Sequence, residues 1–195
     1  MWSRVGLTPS RLRARTGLLY FIGVTSSARP MRSLVPYSLQ LIFCEPGVVK
    51  QFSLRNLLIL VWDVQPTAAV IARVEAASET VRQHVSRGTA MVHVVRAPLQ
   101  LPNDLERAAM VRMMKSYNVR LVGMVVSQSG FLLSMLRSVV TGLRVLTSGR
   151  FEYRICQTLD ELADWLPDVH RERTGVEIEP SQLLSALREA TEAAS

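Results

Sequence analysis

Three runs in the middle of the chain, Leu57-Leu58-Ile59-Leu60-Val61-Trp62, Met91-Val92-His93-Val94-Val95 and Leu121-Val122-Gly123-Met124-Val125-Val126, are apolar almost without interruption. A strand with one wet face alternates apolar and polar residues. A continuous apolar run of five or six belongs to a buried, central strand, the kind found in parallel sheets covered by helices. This constrains the chain to a layered fold.

Between these runs the periodicity lengthens. Val48-Val49-Lys50-Gln51-Phe52 and the 57–62 run read as two strands joined by a tight turn at Leu54-Arg55-Asn56. Gln65-Pro66-Thr67 ends the second strand. Over 68–85, Val70, Ile71, Val74, Ala77, Val81 and Val85 then recur at helical spacing, with Arg73, Glu75, Glu79 and Arg82 for the wet side. Gly88 closes this helix. Pro102-Asn103-Asp104 opens a helix over 105–117. Residues 151–156 read as a strand, and Thr158-Leu159-Asp160-Glu161 caps a short helix ending near Trp165-Leu166-Pro167. A polar linker over 170–175 leads to an amphipathic helix over 180–194. The order β-β-α-β-α-β-α-β-α predicts a single α/β domain over 48–169, with a mixed sheet of four to five strands, mainly parallel at its centre, and helices packed over it.

One apolar stretch raises a membrane question: Gly130 to Thr147 reads GFLLSMLRSVVTGLRVLT. On a helix over Phe131–Leu146, Ser134, Arg137, Ser138, Thr141 and Arg144 fall on one stripe, and Phe131, Leu132, Met135, Leu136, Val139, Leu143 and Leu146 cover much of the rest. An arginine near the middle of a span costs about 2.5–3.5 kcal/mol on insertion scales. This is therefore a domain helix with one polar side. Its start, Ser127-Gln128-Ser129-Gly130, follows a buried strand and offers free amides at the positive end of the helix dipole. Ligand sites in open α/β sheets favour the carboxyl ends of strands. Ser127, Ser129, Arg137 and Arg144 are thus the candidate anion or partner surface, against the simpler reading of a serine cap and solvated arginines.

The chain carries 23 basic and 16 acidic residues among 195, a net charge of +7. Residues 1–47 hold six of the arginines against one acid, Glu45, which leaves 17 basic and 15 acidic residues for the body. The basicity belongs to the tail, and a general nucleic-acid role falls with it. The tail joins a basic start to a short apolar stretch and Ser26-Ser27-Ala28, the outline of a secretory or organelle signal. The leading expectation for 1–47 is nonetheless a disordered basic extension or a start site at Met31 or later, with a targeting signal and a functional basic arm as the alternatives. About 20 apolar residues are needed for a span, and the tail lacks them. Two cysteines, Cys44 and Cys156, make no disulfide framework or metal spacing. They are expected as buried thiols in a cytoplasmic protein.

The strand pair VVKQF/LLILVWDV, the alternation after it, and SVVTGLRVLTSGRFEYRICQTLDELADWL together resemble the STAS and anti-sigma-factor-antagonist-like superfamily, including bacterial STAS-like and CRAL-TRIO-like proteins. The resemblance implies a regulatory protein-interaction domain. Regulatory members carry a phosphorylatable Ser or Thr at the start of the helix after the third strand. Here that place reads Gln100-Leu101-Pro102-Asn103-Asp104-Leu105, with no hydroxyl. The phosphorylation switch does not carry over, and Asp104 reads as a plain helix cap.

No catalytic, cofactor or metal motif occurs. His84, His93 and His170 stand singly. His93 alternates with Met91 and Val95 on one side of its strand, which predicts a satisfied buried imidazole. Asp63 before Pro66 reads as a turn residue. Asp160, Glu161, Asp164 and Asp168 read as the first turn and wet face of a helix, not as paired catalytic carboxylates. The leading expectation is a non-enzymatic interaction domain with a protein partner or self-association. The alternative is a small apolar-ligand or lipid binder, because Met110, Met113 and Met114 cluster on one helix and methionines adapt to variable apolar surfaces.

Overall fold

The computed structural model describes residues 38–193 apart from 80, 82–87, 99 and 127–129. The basic segment 1–37 and His84 lie outside the described residues. Strand β1 (Gln40–Glu45) pairs antiparallel with β2 (Val49–Leu54), which pairs antiparallel with β3 (Leu57–Trp62). Arg55 takes a left-handed backbone, φ 56°, to make the tight turn between β2 and β3. Strands β4 (Thr89–Val95), β5 (Val119–Val126) and β6 (Glu152–Cys156) then add in parallel, each beside its predecessor. The sheet has six strands in the order of the chain. The expected four to five is corrected by β1, which lies inside the stretch to residue 47 that the charge pattern gives to the tail. Its burial is partial and its pattern QLIFCE is short, so neither the basicity around it nor its composition marks it as a strand.

Helix α1 (Ala68–Ala77) connects β3 to β4, α2 (Asp104–Ser116) connects β4 to β5, and α3 (Phe131–Leu146) connects β5 to β6. Parallel crossovers are right-handed, and every crossover here steps in the same direction, so all three helices fall on one face. That face gathers Leu58, Leu60 and Trp62 from β3, Met91 and Val95 from β4, and Val122 and Val126 from β5. The opposite face presents Leu57, Ile59 and Val61, then Ala90, Val92 and Val94, then Leu121 and Val125. Helices α4 (Leu159–Thr174) and α5 (Pro180–Glu192) cover it. The continuous apolar runs are explained: each central strand is greasy on both sides because each side is roofed.

Three helix boundaries differ from the sequence expectation. Helix α1 ends at Ala77, where Ser78 N–H caps the last turn, and does not continue as one helix toward Val85; residues 82–87 lie outside the described residues. Asn103, not Asp104, caps α2: its side chain accepts from Glu106 N at 3.0 Å, and Glu106 Oε2 accepts from Asn103 N at 2.9 Å. Asp104 instead pairs with Arg107 in the first turn. Helix α4 is not short. It runs through Pro167 to Thr174, so the expected polar linker over 170–175 is mostly helix. A proline in a helix interior costs on the order of 3 kcal/mol. Leu162, Leu166, His170 and Thr174 are all buried on one side of this helix, and that burial offsets the cost. Gly123 on β5 lets α4 approach: a Cβ there would stand 2.6 Å from Leu162 Cδ1. The described elements form one compact unit. Among the described residues no helix is long and apolar enough to cross a membrane.

Candidate functional site: an apolar cavity under α3

Helices α1 and α2 pack closely on each other, whereas α2 and α3 approach at fewer points. A cavity of about 90 Å³ lies in the looser region. Its floor is the sheet: Trp62 of β3, His93 and Val95 of β4, and Val122 and Met124 of β5. One wall is Ile71 of α1 with Met110, Met113 and Met114 of α2. The other is the apolar side of α3, Leu136, Val139, Val140 and Leu143. Gln65, Pro66, Gln100 and Pro102 stand at the carboxyl ends of β3 and β4, in the loops that follow them.

The spacing of these residues follows from the elements. Met110, Met113 and Met114 share a side of α2 because positions three and four apart stack on a helix. Leu136, Val139, Val140 and Leu143 share the inward side of α3 for the same reason. Trp62, His93 and Met124 meet because the parallel register sets Leu60 opposite His93 and His93 opposite Met124, with Trp62 two residues beyond Leu60 on the same face.

The floor holds one polar pair. Trp62 Nε1–H donates to His93 Nδ1 at 3.1 Å. The two ring planes lie within 6° of each other with centroids 6.3 Å apart. With the hydrogen bond between them, this is an edge-to-edge arrangement in a common plane, not face-to-face stacking. Burial lowers the His93 pKa from 6.5 to about 4, so the ring is neutral at pH 7. At the strand ends Gln65 Nε2 donates to Gln100 O at 3.2 Å, and Gln100 N donates to Gln65 Oε1 at 3.2 Å. These two bonds tie the β3–α1 and β4–α2 loops together.

The residues singled out by sequence fall elsewhere. Arg137 and Arg144 are exposed on the outer side of α3, away from the cavity its inner side lines, together with Ser134, Ser138 and Thr141. Ser127 and Ser129 lie outside the described residues. The described N-cap of α3 is Gly130, φ 75°, which makes no side-chain cap. The methionine cluster is brought to the cavity as one wall. The hydrogen-bonded partner of His93 and the glutamine tie were not legible, because they join residues on separate strands and loops.

The other polar candidates have structural partners. Asp63 pairs with Arg96 at 3.4 Å and Asp160 with Arg188 at 3.0 Å. Asp168 pairs with Arg171 at 3.4 Å, and Glu161 accepts from Gln157 N at 2.8 Å. His170 is fully buried in α4 with Nδ1 2.7 Å from Val176 O. Cys156 is buried and its thiol pKa is raised, first by burial, whereas Cys44 is exposed on β1, contrary to the expectation of two buried thiols. Among the described residues no group of three or more His, Cys, Asp or Glu could hold a metal ion. Comparison of the chain with protein-family models, with curated proteins and with solved structures gave no match in any of the three.

Proposed function

We propose that this chain binds a small apolar ligand between its sheet and α3. The observation that carries the reading is the cavity lining: Met110, Met113, Met114 and Met124, four unbranched and polarizable side chains, border one partly open apolar space. A well-packed core leaves few voids larger than a water molecule. An apolar void stays dry and takes apolar guests; a cavity of about 150 Å³ suffices for benzene. The 90 Å³ here suits a guest somewhat smaller, or one for which the methionines shift. The position at the carboxyl ends of β3 and β4 agrees with the general placement of ligand sites in open α/β sheets. Native mass spectrometry of gently purified protein is expected to show a bound adduct, and small hydrocarbons are expected to raise the melting temperature. A clean apo mass together with no thermal shift would overturn the reading.

A second reading, the STAS-like interaction domain, is favoured by Val145 and Leu146 at the end of α3, which are 74% and 56% exposed. Large apolar side chains grouped at a surface suit a protein contact. Pull-down from the native cell is expected to recover a stoichiometric partner. Recovery of none, with a strictly monomeric light-scattering mass, would remove this reading.

A further inference from the structure

We propose that the ligand is neutral and carries one hydrogen-bond acceptor on its apolar body, met in the cavity by the Nε2–H of His93. The proposal rests on the apolar-ligand reading above and specifies its chemistry. An indole nitrogen only donates, so the bond from Trp62 requires a lone pair on His93 Nδ1. The ring proton of neutral His93 therefore sits on Nε2. Among the described residues nothing accepts from that nitrogen. Nor is it sealed in the core: among the described residues the fully enclosed side-chain polar atoms lacking a partner are Gln51 Oε1 and Asn56 Oδ1. His93 lines the cavity and keeps accessible surface, so its free donor is open to the cavity space.

A donor set among apolar side chains loses its contact with water when an apolar guest fills the cavity, and that loss is costly unless the guest accepts from it. It therefore selects for a carbonyl, ether or hydroxyl oxygen on a guest that is otherwise hydrocarbon. A charged acceptor is disfavoured, because the described residues of the lining include no lysine or arginine to balance it. The lowered pKa of His93 acts in the same direction, since the ring does not supply a cation at neutral pH. The Trp62 bond serves a positioning role: it fixes which nitrogen carries the proton.

The test compares cyclopentanone with cyclopentane, two rings of like size differing in one carbonyl, by ligand-observed NMR titration of the full chain. The ratio of ketone to hydrocarbon affinity is expected to fall about tenfold or more in His93→Phe, as the loss of one partner of a buried hydrogen bond predicts. If cyclopentane binds and the ratio is unchanged in His93→Phe, the acceptor proposal is overturned and the apolar-ligand reading stands. If neither ring binds the native protein, both are overturned. A measurement on the unsubstituted chain guards against a variant that does not fold. The ¹⁵N shifts of His93 should place the proton on Nε2, and its proton resonance should move downfield with cyclopentanone but not with cyclopentane. A proton on Nδ1, or a resonance that ignores the ketone, overturns the proposal.

Discussion

His170 is fully buried and His93 only partly, and they are neutral in opposite ways. His93 accepts at Nδ1 from Trp62, whereas His170 places Nδ1 against the Val176 carbonyl and therefore carries its proton there. Both pKa values are lowered from 6.5 to about 4. Burial is the cause for His93. For His170 burial leads, the Val176 carbonyl opposes it, and the nearby Arg55 charge assists. A base with a lowered folded pKa binds its proton more readily in the unfolded chain. The corresponding stability is fully present above about pH 6.5 and is lost as pH falls from there to about 4, on the order of 3 kcal/mol for each histidine. Urea midpoints at pH 7.5 and pH 5 are expected to differ accordingly, with neither ring titrating near 6.5 by NMR. A resonance of either histidine that titrates at its ordinary value would contradict this. Alternation with Met91 and Val95 was enough to put His93 on an inner face. Its partner, on a different strand, depended on sheet register, which no local pattern encodes.

At the scale of the element, strong periodicity was readable and weak edges were not. Helix α3 occupies the residues its stripe predicts, Phe131–Leu146, because a polar side and an apolar side leave one way to sit on a sheet. Strand β1 is hidden by the charge pattern, because charge sets the tail apart but does not report backbone pairing. The local rule for proline ends α4 at Pro167, but tertiary burial prevails there and the helix continues to Thr174. The capping box of α2 has a measurable consequence. Asn103→Ala removes the acceptor for Glu106 N and is expected to cost about 1 kcal/mol. This reads as a lower urea midpoint with an unchanged slope. An unchanged midpoint would mean that the α2 terminus is held by its packing alone. The same helix carries three of the four cavity methionines, so fraying there also loosens that wall.

For the whole molecule, the decisive feature is that helices cover both faces unequally in sequence: α1 to α3 are threaded between strands, and α4 and α5 come after the last one. Layered α/β class and helix cover were legible from the apolar runs. Which helices cover which face required the strand order. Helix α5 is integral to the core: Leu183, Leu187 and Ala190 are fully buried, and burying each leucine contributes roughly 1.5–3 kcal/mol. It packs on β2 and β3, near Phe52, Leu54, Leu57 and Ile59. A chain stopped after Gly175 is therefore expected to be largely insoluble, or to lose its near-ultraviolet dichroism while binding hydrophobic dyes. A soluble truncated chain with native dichroism would show the helix to be dispensable.

Sequential strand order also governs how the molecule is made. As the chain leaves the ribosome, each parallel strand meets a neighbour that emerged just before it, so sheet growth needs no long search between distant segments. Among the described residues the cover for the second face comes from residues 159–192, after the six strands have been synthesised. Until then a nascent sheet of high apolar content stands half sheathed, the condition in which chaperones are needed. The demand for protection thus peaks late in translation and ends with the last two helices.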